Sequence, residues 1–268
     1  MNKYISMLLI VVLAACQPNQ TKETADNTQE TAPPPAYPEL LAKALKAHGG
    51  IDNWSKYRTL SYTVENTLGA PKTETQLIDL HTRQVRITGD NYTIGMDGNN
   101  VWVAPNKAAI GKMSARFYHN LVFYFFGIPY VLADPGIQYE DLGLVTVSSK
   151  EYRALKISYD KGIGDADNDA YIAHFNTKTF KLELLLYTVT YFSGQRQDQY
   201  NCLMYDEWQI VNGLLVPASY EGYKYENGEI GEKRYEAKFT NVVLEEKAPD
   251  VSEFAMPELS EIDSLKTN

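Results

Sequence analysis

Residues 171–192 read YIAHFNTKTFKLELLLYTVTYF, and their periodicity decides the fold. Tyr171, Ala173 and Phe175 alternate with Ile172, His174 and Asn176, the period of two expected of a half-buried β-strand. From Thr179 to Phe192 alternation begins again, with Leu182 and Leu184 against Lys181 and Glu183. It then turns apolar on both faces, Leu185, Tyr187, Val189 and Tyr191 lying opposite Leu186 and Phe192. Such a strand needs cover on two sides.

The same period recurs along the chain. Val85 and Ile87 alternate with polar neighbours, as do Leu155, Ile157 and Tyr159, and near the end Tyr235, Ala237 and Phe239. Asp97-Gly98-Asn99, Asn212-Gly213 and Asn227-Gly228 supply turns between strands. No long helical segment alternates with the strands, which argues against a parallel α/β sheet. The expectation is a mostly β, α+β domain of roughly ten antiparallel strands, enough for a strongly curved sheet or an unclosed barrel. The 20 tyrosines suit strands that are apolar on one side and wet on the other.

Two helical segments are expected beside the sheet. Leu41, Ala44, Leu45 and His48 share one helix face, and Gly49-Gly50 ends it. Asp52 is placed to cap a second brief turn carrying Trp54 and Tyr57. Phe117 to Phe126 reads as one short helix, apolar almost all round, that Gly127 and Pro129 terminate. A helix without a polar face is normally buried, and in a curved sheet its place is the concave side.

The N-terminus carries a different message. Lys3 precedes an apolar run from Ile5 to Leu13, too short to span a bilayer, and Leu13-Ala14-Ala15-Cys16 follows. That tetrapeptide resembles the lipobox of bacterial lipoproteins, which implies a signal peptide over residues 1–15 and a diacylglyceryl group on Cys16. In that class the freed amine is usually acylated as well; one acyl chain holds a protein only marginally, and two or more make a stable membrane anchor. Residues 16–38, ending in Pro33-Pro34-Pro35 and Pro38, are expected to be a disordered tether, with one domain over 39–262. Gln17 stands where an Asp would mark inner-membrane retention, so the outer membrane is the expected address.

Charge narrows the partners. The chain has 25 basic and 34 acidic residues, net −9; removing residues 1–15 deletes Lys3 and leaves 24 against 34, or −10. A net negative domain is a poor partner for nucleic acid or for anionic headgroups, so membrane attachment is expected to come from the lipid rather than from a basic surface. With Cys16 committed to lipid, Cys202 is alone, and no internal disulfide is possible.

Candidate chemistry is sparse. Asp165, Asp167 and Asp169 alternate like the start of a Ca²⁺-binding loop. Ala170 stands where the sharp-turn glycine belongs and Asn176 where the bidentate glutamate belongs, so a plain acidic loop with Asx turns is expected and no metal is assigned. His48, His81, His119 and His174 have no ligand spacing and read as ordinary core or surface histidines. Cys202 alternates with Met204 and reads as a small core residue. No nucleophile elbow, phosphate loop or dinucleotide fingerprint occurs, so no enzyme and no cofactor is expected.

The helix ending in His48-Gly49-Gly50, the turn Asp97-Gly98-Asn99-Asn100-Val101-Trp102 and the late Val211-Asn212-Gly213-Leu214-Leu215-Val216-Pro217 resemble the LolA/LolB-like lipoprotein-carrier superfamily. Trp54, Phe125-Phe126-Gly127-Ile128-Pro129 and Asp134-Pro135-Gly136 resemble an uncharacterised group of bacterial envelope lipoproteins within or near it. The resemblance covers about residues 39 to 245. It implies an unclosed β-barrel with helices plugging its mouth and a hydrophobic cavity for acyl chains. Phe117, Leu121, Phe123, Phe125 and Phe126, with Leu185, Tyr187 and Tyr191, would line that cavity. A soluble carrier has no lipid anchor, so this chain looks more like the receptor or acceptor side of such a system. The expected function is a membrane-anchored envelope lipoprotein that binds a lipid or lipoprotein acyl chains. The rivals are a structural or interaction module with a filled barrel, and a hydrolase with an unrecognised site.

Overall fold

The computed structural model describes residues 37–162 and 164–264. The signal segment, the lipobox with Cys16 and the tether up to residue 36 lie outside them. Pro35–Asn268 is a compact unit by itself, and every strand pairing and core residue falls inside it.

Helix α1 (Glu39–Ala47) ends where the paired glycines adopt positive φ, 107° at Gly49 and 92° at Gly50. A Cβ on Gly49 would lie 2.3 Å from the Gly213 carbonyl oxygen, so only glycine permits this approach. α2 (Ile51–Trp54) follows, with Gly50 rather than Asp52 at its N-cap; Asp52 sits inside the first turn and caps nothing. Its place suits the helix dipole instead.

The strands then follow in pairs. The first five are β1 (Thr59–Asn66), β2 (Lys72–Asp79), β3 (Val85–Thr88), β4 (Thr93–Met96) and β5 (Val101–Ala104). After a helical segment come β6 (Ile137–Val147), β7 (Lys150–Tyr159), β8 (Tyr171–Asn176), β9 (Leu182–Tyr187) and β10 (Asn201–Met204). The last are β11 (Trp208–Val211), β12 (Leu214–Pro217), β13 (Ser219–Glu226), β14 (Glu229–Glu245) and β15 (Glu261–Ile262). Thirteen form one antiparallel sheet in the order β15-β5-β4-β3-β2-β1-β14-β13-β10-β9-β8-β7-β6, and β11-β12 is a separate hairpin. The sheet is unclosed. Asn212-Gly213 and Asn227-Gly228 turn the β11-β12 and β13-β14 hairpins with both residues at positive φ, as their sequence demands.

Between β5 and β6 the chain enters the interior. The single helix expected over 117–126 is broken into α3 (Ala115–Tyr118) and α4 (Leu121–Gly127), the break falling at His119-Asn120. The Ser114 side chain caps α3 by accepting from the Phe117 amide. Phe126 of α4 packs on Tyr62 of β1 and Phe239 of β14, and Phe125 on Tyr187 of β9. Tyr124 meets Tyr171 of β8 and bonds the Tyr159 hydroxyl of β7. In the sheet order, six strand spacings separate β1 from β7, roughly 29 Å if flat at 4.7–4.9 Å each. A seven-residue helix is only about 10 Å long. The sheet must therefore wrap around α4, and it is strongly curved.

His48, Trp54, Asn212 and Leu215 meet at one joint. Trp54 stacks on Tyr130 at 4.5 Å, the Tyr130 hydroxyl donates to the His48 and Leu215 carbonyls, and the Leu215 amide donates to the His48 carbonyl at 2.8 Å. Asn53 donates to the Asn212 carbonyl at 3.1 Å. This clamp fixes the leading helices, the stretch after α4 and the β11-β12 hairpin to each other.

Strand β9 is covered on both faces, as its sequence requires. Leu182 and Leu185 join the main core, while Leu184 and Leu186 join a second cluster with Cys202, Val147 and Tyr152. The strand stops at Tyr187, short of the expected Phe192. The reason lies in the next residues: the Thr190 amide donates to Asp169 at 2.6 Å, and the Gly194 amide donates to the Thr190 carbonyl at 2.7 Å, closing a turn. Tyr191 and Phe192 thus belong to a loop. Cys202 is a buried core thiol, pushed up to about 12 by burial.

His48 and His174 are buried and neutral, each lowered to about 4 by burial against the opposing effect of a backbone hydrogen bond. Their folded values lie below the ordinary value of 6.5. The unfolded chain therefore binds more protons between pH 6.5 and 4, and stability present above 6.5 is lost as pH falls through that window. The expected slope is about 1.4 kcal/mol per pH unit for each histidine. Imidazole proton resonances that titrate near 6.5 in the folded protein would contradict it.

Candidate functional site

Two clefts open beside the interior helices. The first, about 440 Å³, is walled by Phe117, Leu121, Phe123 and Phe125 on one side and by Tyr159, Tyr171 and Tyr191 on the other. The second, about 620 Å³, lies between Leu68–Thr73, Asp90–Tyr92 and Ala109–Ser114, with Phe117, Tyr118 and Phe192 also in its wall. Both fall in the size range of small-molecule pockets and are mainly apolar.

Of the residues expected in a cavity, Phe117, Leu121, Phe123, Phe125 and Tyr191 come together around the first cleft. Phe126, Leu185 and Tyr187 lie elsewhere. Phe126 is wedged between Tyr62 and Phe239, and Leu185 is in the main core. Tyr187 touches Phe125 and shares a hydrogen bond with the Tyr235 hydroxyl at 2.8 Å. They point into the same interior, but side chains fill it there.

The polar groups of the first cleft are paired. Arg83 bonds Asp134 at 2.6 Å and lies 5.2 Å over the Phe123 ring, and Arg116 bonds Asp165 at 2.7 Å. Burial holds the Asp134 carboxyl above its usual range, with Arg83 opposing it. Tyr124 and Tyr159 bond each other through their hydroxyls, and burial raises both phenols. His119 turns Nδ1 to the Arg116 carbonyl at 2.5 Å, and burial lowers its imidazole. His81 is exposed, away from either cleft. Among the described residues of this cleft, no nucleophile is paired with a base.

The acidic loop does not converge on a point. Asp165 serves Arg116, Asp167 accepts the Gly162 amide at 2.7 Å, and Asp169 accepts the Thr190 amide at 2.6 Å. Each carboxylate ties down a different segment, and none of these three contacts is the local Asx turn expected from the sequence. Among the described residues no group of three metal-ligating side chains forms.

A buried polar network missed by sequence reading backs the second cleft. Glu74 on β2 is 1% exposed; its oxygens accept the Tyr92 hydroxyl and, at 2.6 Å, the Tyr118 hydroxyl. Gln76 donates to Glu74 at 3.4 Å and accepts from Tyr62 at 2.8 Å. Burial, reinforced by the Glu74 charge, pushes the Tyr92 and Tyr118 phenols up. The network holds two cleft-lining tyrosines in place.

Residues 92–210 match a family of unknown function, DUF6503. No curated protein matches the chain by sequence. Among solved structures, a LolA superfamily protein from Nitrosomonas europaea aligns with a TM-score of 0.50 and 10% identity, over 80% of this chain and 96% of that one. A putative outer membrane lipoprotein-sorting protein domain from Vibrio parahaemolyticus aligns at 0.42 and 7% identity, over 80% and 97%. The Mycobacterium tuberculosis lipoprotein LppX aligns at 0.25 and 8% identity, over 76% and 94%. In fold, the chain is similar to the LolA superfamily.

Proposed function

We propose that this chain is a lipid-anchored lipoprotein of the cell envelope whose domain, residues 39–262, binds an acyl chain in the first cleft without catalysing a reaction. One observation carries the reading. Leu121, Phe123 and Phe125 of the apolar helix α4 border an open cleft of about 440 Å³ beside the curved sheet, although Phe125 also packs on Tyr187. Affinity would come from apolar area removed from water, about 25 cal/mol per Å², less the ordering costs of binding. A module with a filled barrel would leave no such space. A hydrolase would need a nucleophile, and the histidine and carboxylates here are engaged elsewhere.

The tagless domain, purified gently and sprayed under native conditions, is expected to carry co-purified lipid. An apo mass from every preparation, with no lipid in solvent extracts, overturns the proposal. The anchor is tested separately: Cys16→Ser should abolish acylation and leave the signal uncut. Normal maturation of that variant, with retention on membranes after alkaline washing, rules out the lipobox. Gln17 supports delivery to the outer membrane, and fractionation of the wild-type chain checks that address.

A further inference from the structure

Phe117 belongs to both clefts. On its far side Tyr191 borders the first cleft and Phe192 the second, with ring centroids 5.4 and 5.0 Å from Phe117. Three aromatic rings therefore form the partition between two apolar chambers of about 440 and 620 Å³. Phe192 is 59% exposed, so the partition reaches the rim.

The charges at the two rims differ. Both arginines of the first cleft are paired with carboxylates. Lys72 and Lys112 line the second, and neither makes an ion pair among the described residues. Lys72 donates to the Leu68 carbonyl at 3.1 Å and lies 4.8 Å over the Tyr118 ring. Two acids offset these lysines in part: Asp90 lines the same cleft, and Glu74 sits behind it with its oxygens taken by Tyr92 and Tyr118. In a chain of net charge −9, this rim still offers ammonium groups without a salt-bridge partner.

We propose that the two clefts are halves of one site for an anionic two-chain glycerophospholipid, with one acyl chain on each side of Phe117 and the headgroup at Lys72 and Lys112. The inference rests on the reading that the first cleft holds an acyl chain, and it adds the second chamber and the sign of the head. A linear single-chain ligand fills one chamber and leaves the other open. A glycerol diester branches where the partition meets solvent, and so fills both while burying the apolar faces of Phe117 and Phe192.

The test uses residues 35–268, the compact unit, refolded free of lipid and titrated by native mass spectrometry. The probes are palmitate, dioleoylphosphatidylglycerol and dioleoylphosphatidylcholine. Two palmitates or one phosphatidylglycerol should bind per chain, and phosphatidylcholine more weakly than phosphatidylglycerol by about tenfold. Ala166→Trp fills the first chamber and Ala109→Trp the second, both from partly exposed positions outside the core. Each should drop palmitate to one per chain and weaken phosphatidylglycerol at least about a hundredfold, since a whole chain is left in water. Lys112→Glu should remove the preference over phosphatidylcholine. If only Ala166→Trp affects binding, the first-cleft reading survives and the bipartite site is refuted. If no probe binds the folded unit, both fall.

Discussion

Glu74→Ala is expected to lower the stability of the domain by about 3–5 kcal/mol, the range for removing one partner of a buried charged network. The carboxylate is the acceptor on which two phenols and the Gln76 amide depend. Truncation leaves the buried Tyr118 hydroxyl as a donor without an acceptor, at about 1–3 kcal/mol, and takes the carboxylate from the half-buried Tyr92 hydroxyl at the cleft wall. It also takes away the negative charge that partly opposes the lowering of the Lys72 amine by burial. Glu74→Gln keeps the size and one acceptor oxygen, so its loss should be clearly smaller. Adding Tyr118→Phe to Glu74→Ala should recover part of the loss, because one unmet donor goes with it. Denaturant titration reads all of these. A loss under about 1 kcal/mol for Glu74→Ala means that water already serves these groups, and the network is not what fixes the cleft wall.

That network shows where sequence reading stops. Along β14, Tyr235, Ala237 and Phe239 are buried and their neighbours are wet, so the period is written in the residue types. Along β2 the inward positions are Lys72, Glu74, Gln76 and Ile78. Three polar residues facing inward erase the apolar alternation, and only their partners on other elements explain them. The apolar helical stretch is legible because no charged or amide side chain interrupts Leu121–Gly127, whereas its separation from α3 at His119-Asn120 is not. The overlong strand after Leu182 was not, because Val189 and Tyr191 keep an apolar rhythm while Asp169, twenty-odd residues upstream, captures the backbone and bends it. The second cleft had no signal at all. Its walls come from turns and short loops, which carry no periodicity. The C-terminal strap is similar: Trp102 donates to the Phe254 carbonyl at 3.2 Å and β15 adds an edge to β5, yet a two-residue strand leaves no pattern to read.

Phe126 and Phe123 sit three residues apart on α4 and should respond differently to truncation. Phe126 is fully buried, with the Tyr62 ring at 4.8 Å and the Phe239 ring at 4.9 Å. Phe126→Ala leaves a sealed void whose walls belong to paired strands β1 and β14 and cannot collapse. The expected loss is the full 3–5 kcal/mol or so for a packed phenylalanine. The ring of Phe123 is also withdrawn from water, but one of its faces borders the first cleft and the Arg83 guanidinium. Phe123→Ala enlarges a space that already opens to solvent, so most of the cavity term is missing and about 1–3 kcal/mol should be lost. Only this second variant should change which acyl chains co-purify, toward longer or bulkier ones. Denaturant titration beside lipid extraction separates the outcomes. Equal losses in both variants, with the same lipid profile as wild type, would mean that Phe123 is ordinary core and that the first cleft does not touch the ligand.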